Sequence, residues 1–372
     1  MMLNPKKAPW PMGVLALLVT LATSGCARLS QPVASAGLVR TLSGHRLWVN
    51  SLTWAPDGTR LASGSSDRTV RVWDATNGTT LTTLTGFAGG VNVVAWSPNG
   101  QYLATGAAQR NNGLQVWSTM TWQPVFGIDP TANAPNDAGL NSLAWSPDST
   151  LLAVGLEGTT TKGVPVKSWA KVYAAANWHN TATLTYTDGI ASVAWSPQGK
   201  TLAIASSYYH FASLGRVVLW DPTADSVSDT PTVKFPEQNG LLTVLAWDPD
   251  GRRIAGNALT LATPAGYSLT VWDVAHQQRS ADLAGAAETV KSVAWSADGA
   301  YIAAGADDRT VTVWNAGSGR QVATYQAGDA VNSVAWSPNS SLLAAGCADG
   351  NIYLWARPAA PTPGGPSPPP SP

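Results

Sequence analysis

Val49-Asn50-Ser51-Leu52-Thr53-Trp54, then Ala55-Pro56-Asp57-Gly58, then Leu61-Ala62-Ser63-Gly64: this stretch decides the fold. Its first six residues alternate as a strand with one buried face. Pro56 presets φ and Gly58 tolerates a positive φ, so the Pro-Asp-Gly sequence predicts a tight turn. The small residues after it predict a second strand that a neighbouring sheet can approach closely. Val70-Arg71-Val72-Trp73 ends a third strand on another Trp, and Thr80 to Leu84 reads as a fourth, more polar one.

The unit recurs. Trp54, Trp96, Trp145, Trp195, Trp247, Trp295 and Trp336 each end such a first strand, at spacings of 42, 49, 50, 52, 48 and 41 residues. A third-strand Trp stands at Trp73, Trp117, Trp220, Trp272, Trp314 and Trp355, with Tyr173 in its place in the third unit. Thirteen of the 18 Trp are thereby placed as repeated packing residues. Four antiparallel strands in a unit of about 46 residues predict an all-β, seven-bladed β-propeller. Leu38-Val39-Arg40-Thr41-Leu42 is a lone strand of the fourth-strand type, and no fourth strand follows Trp355. The N-terminal strand is therefore expected to complete the last blade, which removes two open sheet edges.

Trp-Asp is kept at Trp73-Asp74, Trp220-Asp221 and Trp272-Asp273, and degraded at Trp314-Asn315, Trp117-Ser118 and Trp355-Ala356. In these motifs residues 38–357 resemble the WD-repeat propeller family in its bacterial form. The resemblance implies a hydrogen-bonded tetrad inside the first blade, His45, Ser63, Asp67 and Trp73, with a structural role and no catalytic one. The other units keep fragments of it at Thr105, Asp308 and Asp349. The resemblance also implies that second-to-third and fourth-to-first connections share one binding face. Connections on that face are long in units two to five: Ala107 to Gly113, Leu156 to Val166, Ser206 to Gly215 and Asn257 to Gly266, with Asp129 to Gly139 before unit three. Repeat insertions on one face often mark a binding surface. Tyr208, Tyr209, His210 and Phe211 form an aromatic cluster there. Trp48 precedes the first strand beside His45, and Arg110, Asn111 and Asn112 supply polar neighbours. These residues are the candidate binding face, suited to protein or glycan contact.

Composition excludes several classes. The 372 residues are 44% apolar and 12% charged, enough to build a core and too apolar for general disorder. Twenty-two basic against 22 acidic side chains leave no basic excess for nucleic acid. Two cysteines make neither a disulfide scaffold nor a zinc cluster, and Cys347 reads as a small strand residue. His45, His179, His210 and His276 fall in four different units without metal-ligand spacing. With no nucleophile motif and no phosphate-cradling glycine loop either, no cofactor and no enzymatic activity are expected.

The ends stand apart from the fold. Residues 1–25 read as an export signal: Lys6 and Lys7, an apolar run from Met12 to Ala22, then Thr23-Ser24-Gly25 before Cys26. The run is shorter than the roughly 20 residues a spanning helix needs. Leu21 to Cys26 resembles a bacterial lipobox, which makes Cys26 the expected lipidation site. Residues 26–37 read as a tether, and the Pro-rich stretch 358–372 is expected to be a disordered tail. Without residues 1–25 the chain is slightly acidic. The expected protein is thus a monomeric, non-catalytic platform for a protein partner, exported and lipid-anchored to a bacterial membrane or cell surface. Glycan or peptidoglycan binding is one alternative. An enzyme working in the propeller channel is another, and it requires acids or His converging on the axis, which the sequence lacks.

Overall fold

The computed structural model describes residues 37–107, 113–128, 139–157, 168–186, 189–207, 216–223, 242–258, 268–285 and 288–359. All regular structure in them is β. Seven antiparallel sheets follow one another along the chain. Blade 1 comprises Val49–Trp54, Arg60–Ser65, Val70–Asp74 and Thr80–Leu84. Blades 2, 3, 5 and 6 repeat this order from Val91, Gly139, Leu245 and Val290. Three strands of blade 4, Gly189–Trp195, Leu202–Ser207 and Arg216–Trp220, lie within the described residues. In blade 7, Leu38–Ser43 pairs with Asn351–Ala356, from Leu38 opposite Trp355 to Ser43 opposite Asn351. The first strand of the chain is therefore the outer strand of the last blade, as expected.

Burial across a blade explains its sequence. The first strand of blade 1 is buried at Val49, Leu52 and Trp54, with a bulge after Val49 interrupting the alternation, its second strand almost throughout, and its outer strand only at Leu84. Past Leu61 the second strand is built of small residues, Ala62, Ser63 and Gly64, which let the neighbouring sheet approach closely. A Cβ on Gly64 would lie 2.8 Å from Val91, and one on Gly346 2.6 Å from Val49, in each case in the next blade. The core is correspondingly divided into seven apolar clusters, one at each seam between blades. One joins Val72 and Leu84 to Val91, Trp96 and Leu103. Another joins Leu343 and its neighbours in blade 7 to blade 6, and a third joins Leu42 and Ile352 to Leu61 and Trp73, closing the circle.

Side chains also bond blade to blade. The indole N–H of Trp54 donates to Ala335 O at 3.1 Å, and Trp145, Trp195, Trp247 and Trp295 donate to Ala95, Ala144, Ala194 and Ala246 O at 3.1–3.2 Å. Each acceptor directly precedes the first-strand Trp of the preceding blade. Trp96 instead reaches Gly100 O in its own turn, and Trp336 Nε1 has no partner among the described residues. A second rung runs nearby: the amides of Leu52, Val94, Val193 and Val334 donate to Ser333, Ser51, Ser142 and Ser292 Oγ at 3.0–3.1 Å. Adjacent blades share no strand ladder, so these bonds satisfy polar groups that the seam would otherwise bury unpaired.

Strand alternation puts the first-to-second and third-to-fourth turns on one face, here the lower. The second-to-third hairpins and the connections between blades lie on the upper face.

Candidate functional site

Blade 1 places its polar network under the upper face. His45, in the connection entering the blade, accepts or donates at both ring nitrogens: Nδ1 is 2.9 Å from Asp67 Oδ2 and Nε2 is 2.7 Å from Ser63 Oγ. The indole N–H of Trp73 donates to the same Ser63 Oγ at 2.8 Å, and the His45 and Trp73 rings meet edge to face at 6.0 Å. The structure thus brings together all four residues of the tetrad.

Electrostatics set the direction of the protons. Burial would raise the Asp67 carboxyl, but Thr69 Oγ1, the Arg46 amide and His45 donate to it and hold it at about 2. It is a carboxylate. Burial lowers the His45 pKa more than Asp67 raises it, and Arg71 adds to the lowering. The neutral ring therefore gives its Nδ1–H to Asp67 and accepts the Ser63 hydroxyl at Nε2, while Trp73 N–H caps the Ser63 oxygen. Every polar atom is used. Asp, His and Ser stand in the order of a hydrolase triad, yet Ser63 is fully buried and its oxygen faces an indole. No substrate carbonyl can reach it.

This network titrates in one direction. His45 is lowered in the fold, so the unfolded chain takes up a proton first as pH falls below about 6.5. Its contribution is present above that pH and is lost on acidification. Asp67 is lowered too, so its contribution is present above the ordinary carboxylate range and is lost as pH falls towards 2. The thermal midpoint is expected to decline from pH 7 to 5 and again below pH 4. His45→Gln should flatten the first decline and keep the second. Equal slopes between pH 7 and 5 would remove His45 from this role.

Other blades satisfy the third-strand Trp by other means. Trp117 donates to Thr105 Oγ1 at 3.1 Å, with Phe87 tilted against its ring in the place His45 takes. Trp314 donates to Ala284 O at 2.9 Å. In blade 7, Tyr353 Oη donates to Asp349 at 2.7 Å, and Tyr325 and Tyr353 both stack on Trp355. Asp308 caps its own hairpin through Thr310. Cys347 is fully buried, and burial raises its thiol pKa, so it is unreactive.

The tetrad fixes the loop above it. Asp67 holds the Arg46 amide at 3.0 Å, Ser65 Oγ donates to Leu47 O at 3.2 Å, and the Ser66 amide donates to Trp48 O at 2.9 Å. From the blade 7 side, Gly350 lies against the same segment: a Cβ there would be 2.8 Å from His45 O. With the backbone pinned, the side chains of Leu47 and Trp48 point outward and are 52% and 57% exposed. Trp48 is one of the expected binding residues. Leu47 was not singled out from the sequence, although an apolar pair directly after Gly-His was visible there. Arg110, Asn111, Asn112, Tyr208, Tyr209, His210 and Phe211 lie outside the described residues, as does Cys26.

Residues 36–74, 78–118, 277–315 and 319–356 match the family described as WD domain, G-beta repeat. The chain carries WD40 repeats. Each match starts on the outer strand of one blade and ends on the third strand of the next, the same offset that closes the ring. The outer strand of blade 2, blades 3 and 4, and the first three strands of blade 5 lie outside these matches and belong to sheets of the same kind. Short stretches also resemble curated proteins. These include "Protein Mut11" of Chlamydomonas reinhardtii, 47% identical over 47 residues, which are 13% of this chain and 13% of that one. "Protein HIRA" of Oryza sativa subsp. japonica is 51% identical over 41 residues, 11% of this chain and 4% of that one. "Lissencephaly-1 homolog 1" of Paramecium tetraurelia is 53% identical over 34 residues, 9% and 8% of the two chains. The aligned stretches cover between 4% and 13% of these relatives' own length, each about the size of one repeat unit.

Proposed function

We propose that this WD40 propeller is a non-catalytic platform for a protein partner, displayed outside the cytoplasmic membrane as a bacterial lipoprotein anchored through Cys26. The observation that carries the platform reading is the Leu47–Trp48 pair. Two large apolar side chains stand in solvent on a backbone held by Asp67, Ser65 and Ser66. A pre-ordered aromatic anchor loses little conformational freedom on binding, which is how interface hot spots work. The lipobox-like sequence ending at Cys26 supports the display.

Capture of binding proteins from native membranes by the lipidated chain tests the reading. Trp48→Ala should leave the melting temperature within a degree or so and weaken capture by about 2 kcal/mol, roughly thirtyfold in Kd. Equal capture by the two forms would exclude this face.

A further inference from the structure

Exposed large apolar side chains are not spread evenly around the ring. Apart from Leu47 and Trp48, those among the described residues are Leu38, Val39, Leu81, Met120 and Val125. Three occupy one structural position. In every described outer strand the ladder skips one residue just after the partner of the third-strand aromatic residue. That bulged residue is turned out of the ladder. It is Val39 in blade 7, Leu81 in blade 1 and Val125 in blade 2, each 45–51% exposed. In blade 3 it is Thr181 and in blade 5 Ser280, and Val322 of blade 6 packs onto the core. All of these lie at the lower ends of their strands, and Met120 sits in the lower third-to-fourth turn of blade 2. The lower edge thus presents an exposed apolar side chain at the bulge of each of three consecutive blades, 7, 1 and 2.

Two further observations say what covers it. The outer strands Leu38–Ser43, Thr80–Leu84 and Pro124–Ile128 contain no acidic residue. The chain enters the propeller at Gly37, on this same edge, eleven residues after Cys26. Eleven residues reach at most about 36–40 Å when fully extended. We infer that the lower edge of blades 7, 1 and 2 rests in the interfacial layer of a lipid bilayer, with Leu47 and Trp48 on the face turned away from it. The inference rests on the reading of Cys26 as lipidated.

The test uses the full chain, purified with its lipid and mixed with vesicles of phosphatidylcholine and phosphatidylglycerol that carry a nitroxide on the acyl chain. A dye is attached to Cys in the variants Val39→Cys, Leu81→Cys and Val125→Cys, with Ser280→Cys at the equivalent position of blade 5 across the ring and Leu47→Cys on the upper face. All five sites are exposed, and the buried Cys347 stays unlabelled. Quenching at 39, 81 and 125 at least twofold greater than at 280 and 47 is expected. Vesicle-bound protein with equal quenching at all five sites overturns the docking and leaves the anchor standing. A chain that neither floats with vesicles nor carries acyl mass on Cys26 overturns both. Protection of the Leu81→Cys dye without vesicles, together with elution as a dimer, makes a second copy the occupant and overturns the lipid.

Discussion

A chain lacking residues 38–42 is expected to lose roughly 5 kcal/mol of stability. The deleted residues pair with blade 7 at four positions, and Leu42 among them is buried almost completely in the cluster shared with blade 1. Leu42 alone contributes about 2 kcal/mol by burial, and each ladder bond a net ~0.5–1.5 kcal/mol. The loss rivals the net stability of an ordinary domain, about 5–15 kcal/mol. It also leaves Asn351–Ala356 as an open edge with Trp355 beneath it, a template for aggregation. Differential scanning calorimetry should show the midpoint lowered by roughly 10 °C or more. An unchanged midpoint would mean that Leu38–Ser43 does not close the ring in solution.

Ser63→Ala is expected to be the most damaging single-atom change. It orphans two buried groups, Trp73 Nε1 and His45 Nε2, at about 1–3 kcal/mol each, so roughly 2–6 kcal/mol in all. Alanine itself is compatible with the position, since Ala304 of blade 6 occupies the same place opposite Val293 that Ser63 occupies opposite Leu52. There the Trp finds a backbone carbonyl and no His is present. The harm in blade 1 thus comes from the imidazole left behind. Adding His45→Phe, which imitates Phe87 in blade 2, should cost less on the Ser63→Ala background than alone. Urea unfolding of the four forms measures the coupling, and strict additivity would argue against a connected network.

The blade was legible because two periodicities agree within it, the alternation of a strand and the recurrence of Trp before a turn. Ring closure was legible because an outer strand is missing at one end and present at the other. What the first-strand Trp residues do was only half legible. They pack, but five of them also donate to an alanine carbonyl of the preceding blade, about 50 residues away for four of them and across the ring closure, 281 residues away, for Trp54. A backbone acceptor leaves no side-chain signature. The usable trace is the residue before each Trp: Ala95, Ala144, Ala194, Ala246, Ala294 and Ala335, with Thr53 as the exception, and Trp96 beyond Thr53 is the indole that turns to its own hairpin. Trp122 and Trp178 showed no role in the sequence. Both hold a left-handed backbone, at φ 55° and 59°, where blades 1 and 6 have Gly78 and Gly319. That conformation costs a non-Gly residue about 1–2 kcal/mol. Trp178 recovers it by stacking on Phe126 of the preceding blade at 4.9 Å. Of the candidate site, the tetrad and Trp48 were readable because each sits at a fixed distance from a repeat landmark. The loop cluster Tyr208 to Phe211 has no such landmark.

Because the closing strand comes from the opposite end of the chain, the two ends of the propeller leave it side by side: the Ala356 amide donates to Gly37 O at 2.9 Å. The folded polypeptide is nearly a covalent circle. Where it is cut is then a matter of history rather than of mechanics, and a short bridge from Ala356 to Gly37, with new ends opened in the exposed turn at Thr76 and Asn77, would thread the same seven sheets in a rotated order. The chain therefore enters and leaves the ring at one spot on its rim, which concentrates both connections in a single blade and leaves the other six without any.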